Sequence, residues 1–202
     1  MRLYDRILGN PFVYDRIRPL VVGGIDMSAF YDAAGIGAAD VVLDLGCGTG
    51  DALRYLRAFD RYVGIDTDER AVRVARARWR GTPTARFECR RCTPQDVDDL
   101  APTHVILSGV LHHLDDAEAV SLLALVRRSP RLERVATVDI AYLPGKPVNN
   151  LLSRLDRGRH CRQAPGYAAL AERSGLRIVE TRLVRSHPTR GIATYFSMTL
   201  VP

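Results

Sequence analysis

Short apolar runs and helical patterns alternate along most of the chain. Residues 41–45 (VVLDL), 61–66 (RYVGID), 85–91 (ARFECRR), 104–111 (HVILSGVL) and 134–142 (RVATVDIAY) read as strands. Residues 51–59 (DALRYLRAF), 68–80 (DERAVRVARARWR) and 117–128 (AEAVSLLALVRR) place apolar side chains at helical spacing between them. Asp68 starts the second of these helices and Gly81 stops it. Asp115 or Asp116 caps the third, which ends before Pro130. Residues 143–164 are irregular, with one short helix near 149–157, and 166–175 form another helix closed by a glycine. Strands 177–184 and 193–201 end the chain. This alternation predicts an α/β fold with a doubly wound, largely parallel sheet. Only about eight residues join the last two strands, too few for a parallel crossover, so the final strand should run antiparallel. Tyr4, Ile7, Leu8, Phe12, Tyr14 and Ile17 suggest one or two helices within residues 1–35. These form either an N-terminal helical lid over the carboxyl edge of the sheet or a plain cover for its core, ahead of a main domain at 36–202.

The chemistry is concentrated in VVLDLGCGTGD, residues 41–51. A buried strand runs straight into Gly46, Gly48 and Gly50, where the backbone can take positive φ and approach a ligand closely. The turn should open at the carboxyl end of the sheet, with backbone N–H groups aimed at whatever is bound. A dinucleotide fingerprint would need G-x-G-x-x-G, but the third glycine is replaced by Asp51, which would oppose a pyrophosphate. A Walker loop needs a lysine, and none follows. A nucleoside-like ligand without pyrophosphate remains. Asp44 suits an ammonium group or a sulfonium-bearing tail. Asp66, at the end of the second strand, can accept both hydroxyls of a ribose.

At these residues the chain resembles the class I S-adenosylmethionine-dependent methyltransferases. Their first motif, an acid followed by G-x-G-x-G, matches Asp44, Gly46, Gly48 and Gly50. Their ribose-binding acid matches Asp66, and SGVLHHL (108–114) looks like the segment after the fourth strand in small-molecule members. The resemblance covers residues 40–142 and, by topology, the terminal hairpin. It implies a Rossmann-like sheet with a reversed last strand, and S-adenosylmethionine as cofactor, bound in the domain at 36–202. By that resemblance Asp44 and the backbone of Gly46, Cys47, Gly48 and Gly50 would hold the amino-acid end, and Asp66 the ribose. Thr67 would flank the adenine, and the backbone near Ser108 would lie beside the methionine. Where the family often has Gly-Asp after the third strand this chain has CTPQDV, so Thr93 or Asp96 would contact the adenine amine.

His112 and His113 follow the fourth strand at the rim, where either could take a proton from an acceptor, with His113 favoured. Tyr142, at the end of the fifth strand, is a further catalytic candidate. A metal pair is not expected, because adjacent residues point apart and the i, i+4 spacing of a helical pair is absent. The Asn/Asp-Pro-Pro-aromatic motif of base methylation is missing where SGVL stands, and no cysteine nucleophile occurs at that edge. A small-molecule acceptor methylated on O, N or C is the leading expectation. An RNA or protein methyltransferase and a non-catalytic cofactor-binding scaffold are the alternatives.

Composition adds little that conflicts. The 202 residues carry 29 basic and 23 acidic side chains, a net charge of +6. Lys146 is the only lysine, and the arginines are mostly interleaved with acids, which argues against a nucleic-acid track. Four cysteines, with one C-x-x-C at Cys89 and Cys92 and no second pair, suit a reducing cytoplasm better than a disulfide framework or a zinc ribbon. No apolar run is long enough to cross a membrane, and the N-terminus has no apolar signal core.

Overall fold

The computed structural model describes residues 26–156, 158–185 and 193–202. Residues 1–25, and with them most of the expected lid, lie outside the described residues. The described chain begins with α1 (Ser28–Ala34) and β1 (Val41–Leu45), then β2 (Arg61–Asp66), α2 (Glu69–Arg78), β3 (Ala85–Cys89) and α3 (Pro94–Leu100). β4 (His104–Ser108), α4 (Asp116–Arg127), β5 (Arg134–Tyr142), α5 (Pro147–Leu155), β6 (Arg162–Gln163) and α6 (Ala164–Arg173) follow. β7 (Arg177–Arg185) and β8 (Thr194–Val201) complete it.

The strand order is β3-β2-β1-β4-β5-β8-β7, with β6 paired to the end of β5. β3, β2, β1, β4 and β5 are parallel; β8 is antiparallel to both β5 and β7. The reversed last strand follows from the short connection after β7, as expected. Chain order reverses direction between β1 and β4, and the carboxyl ends of those strands open a crevice there.

Both sheet faces are covered, which is why β1 and β4 are almost wholly apolar. Leu43, Leu45, Val105 and Leu107 pack with Leu123 and Val126 of α4 and Tyr167 and Leu170 of α6. Val42, Tyr62 and Ile106 pack on the other face with Phe30 and Tyr31 of α1 and Val72 of α2.

Local signals explain most helix ends. Asp68 caps α2 by accepting from the Arg70 and Ala71 N–H groups. Asp115 and Glu118 close a reciprocal capping box on α4. The expected helix at 51–59 is replaced by a single 3-10 turn, Asp51–Arg54. Its apolar spacing is helical, but its length is wrong for the task. The chain must return past β1, whose five residues span about 17 Å. Nine α-helical residues advance only about 14 Å. A tight turn followed by extended chain covers the distance.

One helix lies where no helix was expected. α3 is announced by Thr93-Pro94-Gln95-Asp96, a Thr N-cap with proline in the first turn and an acid at the third helical position.

Removing the box that starts α4 should be measurable. Asp115→Ala should lower stability by about 1 kcal/mol, read as a fall in melting temperature of roughly 2–4 °C. An unchanged melting temperature would mean that packing alone sets the start of the helix.

Candidate functional site

The chain leaves β1 through three left-handed glycines: Gly46 at φ +71°, Gly48 at +53° and Gly50 at +75°. Each has its own reason. A Cβ on Gly46 would stand 2.6 Å from Val110, and one on Gly50 2.7 Å from the Trp79 ring. A Cβ on Gly48 would meet nothing within 4 Å, so this peptide faces open space. The loop is pinned from below, where Gly46 N–H donates to the Ile65 carbonyl at 2.8 Å. Asp66 pins it from the side. Its Oδ2 accepts from the Gly48 N–H at 2.7 Å, and its Oδ1 from the Asp68 N–H at 2.8 Å. A carboxylate has about four acceptor positions, so these two bonds leave room for further donors.

Asp44 sits two residues before the loop and is only 2% exposed. Tyr62, on the neighbouring strand, donates its hydroxyl to Oδ2. Oδ1 is buried with no partner. Burial drives the Asp44 carboxyl up to about 7, against the Tyr62 hydrogen bond, which holds it down. Tyr31 of α1 is buried close by, and its burial together with the Asp44 charge pushes its hydroxyl well up. Tyr31 and Tyr62 were not singled out from the sequence. Tyr62 reaches Asp44 only because β1 and β2 pair in this register, which composition does not reveal.

A cleft of about 710 Å³ opens beside the loop. Gly46, Asp66, Thr67, Arg91, Val110 and His113 line it, and Leu122 and Leu125 of α4 extend it as an apolar wall. Gly46, Asp66 and Thr67 therefore meet at one opening, as expected. Asp44, Cys47, Gly48, Gly50 and Ser108 are not among the residues lining it, and for Cys47 the side chain turns away from the loop. Cys47 is buried and packs over Gly64, and burial pushes its thiol well up.

Thr93 and Asp96 are drawn elsewhere too. Asp96 accepts from the Thr93 N–H and hydroxyl, both at 2.7 Å, and pairs with Arg90. The Arg90 guanidinium holds the Asp96 carboxyl down at about 2. Neither Thr93 nor Asp96 is among the residues lining the cleft, because the first turn of α3 uses both. Cys89 and Cys92 approach different backbone carbonyls, of Thr67 and Thr93.

The two adjacent histidines have different surroundings. His113 is exposed and lines the cleft. His112 is 4% exposed. Its Nδ1 lies 2.7 Å from Asp139 Oδ1, and its Nε2 lies 3.2 Å from Asp156 Oδ1. Burial opposes charge on His112, but hydrogen bonds and attraction from the two carboxylates outweigh it and raise the imidazole to about 9. A ring clamped on both nitrogens is a poor proton acceptor for a substrate, so the expectation of a base at His112 does not fit this position. Nor do the two rings diverge as expected. Their centroids are 4.1 Å apart, because 111–113 form a 3-10 turn.

Tyr142 is half-buried at the end of β5, where it pairs with Gln163, and it does not line the cleft. The segment after α5 is strapped over the turn. His160 N–H donates to the His112 carbonyl, and Arg162 donates to the carbonyls of Leu111 and Leu114 at 2.8 Å each and pairs with Asp116.

Residues 42–131 match the family model described as a methyltransferase domain. Around this stretch the chain has the Rossmann-like fold of class I methyltransferases.

Among solved structures, magnesium protoporphyrin IX methyltransferase of Synechocystis PCC 6803, with S-adenosylhomocysteine bound, is 18% identical. It has a TM-score of 0.66, over 95% of each chain. A chain in the complex between the Haloferax volcanii Trm112 methyltransferase activator and the putative methyltransferase is 18% identical, with a TM-score of 0.71. That match covers 98% of this chain and 94% of the other. The [4+2]-cyclase SpnF is 16% identical at a TM-score of 0.65, covering 86% of this chain and 80% of its own. No curated protein sequence matches the chain. Among the described residues, no helix is long and apolar enough to cross a membrane.

Asp44 gives the methyltransferase domain a pH signature. Its folded pKa is raised above the unfolded value, so the stability it contributes is full below pH 4 and is lost as pH rises through about 7. From pH 4 to pH 8 the stability difference between Asp44→Asn and the parent should shift towards the variant by up to about 4 kcal/mol, measured by denaturant unfolding. Parallel pH profiles would show that Asp44 ionises as readily in the fold as out of it.

Proposed function

We propose that the chain is an S-adenosylmethionine-dependent methyltransferase acting on a small molecule. The observation that carries this reading is the pairing of the open Gly48 peptide with the Asp66 carboxylate at the mouth of the cleft. No lysine follows the glycine loop, and Asp51 stands where a dinucleotide fingerprint needs its third glycine. The orphaned Oδ1 of Asp44 also fits a cationic ligand, because a buried carboxylate lacking a partner gains most from one.

S-adenosylmethionine supplies a methyl group on a sulfonium, open to in-line displacement. In this scheme Asp66 binds the ribose hydroxyls with its remaining acceptor positions, and Thr67 flanks the adenine. The Gly46–Gly50 backbone and Asp44 receive the amino-acid end, with Ser108 beside it. Arg91 and Cys92 replace Thr93 and Asp96 beside the adenine, since they line the cleft. His113 is the one of the three catalytic candidates on the cleft wall, and we assign it the contact with the acceptor. His112, stacked against His113, holds that ring from behind. The enzyme's contribution is chiefly alignment of donor and acceptor.

A small acceptor is favoured over a macromolecule by the arginine pairing. Arg78, Arg90, Arg128, Arg162 and Arg182 each sit on a carboxylate, which leaves no continuous basic track among them. The likeness to a cyclase keeps a second reading in view, in which the cofactor is held and another reaction is catalysed.

Calorimetry with S-adenosylmethionine tests the scheme. Asp66→Ala should weaken binding by roughly 1–3 kcal/mol. Unchanged affinity would remove Asp66 from the site. His113→Ala should leave that affinity intact while lowering methyl transfer to a small-molecule fraction of cell extract by at least about tenfold. Full transfer would make His113 a bystander.

A further inference from the structure

We propose that His112, His113 and Asp156 form a binding site for a divalent transition-metal ion in the wall of the cleft. One ligand atom from each of the three lies within 4.8 Å of the other two. His112 Nε2 and Asp156 Oδ1 are 3.2 Å apart. Two donors about 2.1 Å from one ion stand about 3.0–3.4 Å apart in octahedral or tetrahedral geometry. That pair is therefore already spaced as two ligands of one ion. His113, in the same 3-10 turn as His112, already brings a ring nitrogen within 4.8 Å of both. Two imidazoles and one carboxylate suit a transition metal, whereas calcium and magnesium prefer oxygen ligands.

The surroundings of His112 supply an independent reason. Asp139 holds Nδ1 at 2.7 Å and also accepts from the His112 N–H at 3.1 Å. Metal-ligating histidines are oriented in this way, with a carboxylate on the outer ring nitrogen and the inner one presented to the ion. Asp139 is 1% exposed, and its Oδ2 is buried without a hydrogen-bond partner. The Asp156 side chain is 5% exposed, and its Oδ1 is fixed further by the Gly158 N–H at 3.0 Å. Two buried carboxylates thus converge on one imidazole. A dication bound to Nε2 would offset their negative charge.

The position gives the ion a use. Of the three ligands His113 lines the cleft, so an ion held by them would stand beside it, where it would polarise an acceptor oxygen and ease transfer of that oxygen's proton to water. His113 then contacts the acceptor as a ligand of the ion. This consequence rests on the methyl-transfer reading; the binding of the ion does not.

The test uses untagged, chelator-stripped protein, titrated with cobalt(II) by visible absorption and with zinc(II) by equilibrium dialysis. One equivalent should bind. His113→Ala and Asp156→Asn should each weaken uptake at least about tenfold. A second group, Asp40, His104 and Glu133, also brings its ligand atoms within 4.8 Å, and Glu133→Gln, at an exposed position, should leave uptake unchanged. Absence of stoichiometric uptake, or uptake that His113→Ala leaves intact, overturns the proposal. Protein that takes up cobalt but gives no heat with S-adenosylmethionine would remove the methyl-transfer reading and leave the metal site standing.

Discussion

The Asp66 carboxylate reaches across from the tip of β2 to hold the Gly48 peptide of the loop after β1. That bond fixes a backbone that has little else to fix it. Three residues of the loop have positive φ, and glycine gives each of them conformational freedom that must be lost on folding. Hydrogen bonds from Gly46 to Ile65 and from Gly50 to Cys47 secure the two ends, and Asp66 secures the middle. The same carboxylate keeps acceptor positions for a ligand, so one side chain both shapes the loop and faces the cleft.

The parallel sheet imposes the other constraint. β1 and β4 are buried on both faces and place their carboxyl ends side by side at the point where chain direction reverses. Asp44 is therefore in the core, where an unpaired carboxylate oxygen is costly. Tyr62 offsets part of that cost. A region that keeps an unsatisfied charge so close to an open glycine loop is more readily explained by ligand binding than by stability.

The sequence reading succeeded where the physics is local. The strands at 41–45, 61–66 and 134–142 carry apolar runs long enough to be recognised. The caps at Asp68 and Asp115 are short-range signals, and the reversed last strand follows from a loop length. The reading failed where tertiary distance decides. The 51–59 pattern is helical in spacing yet too short to return past β1, and Thr93 and Asp96 look like loop residues until the first turn of α3 uses both.

At the site, the glycine loop, Asp66 and Thr67 were legible because their spacing is a backbone property. The separation of His112 from His113 was not, because it depends on Asp139 and Asp156, which lie 27 and 44 residues from His112 in the chain. Which of two neighbouring side chains is buried is set by Asp156 and the strap at 158–163, and the sequence shows no strap.

A crystal structure of the protein soaked with S-adenosylhomocysteine would bear most directly on the central claim. The account places the adenosyl ribose on Asp66, with the amino-acid end against the Gly46–Gly50 backbone and Asp44. Density for the nucleoside in any other part of the molecule, or a loop closed over by its own side chains with Asp66 facing away, would contradict it.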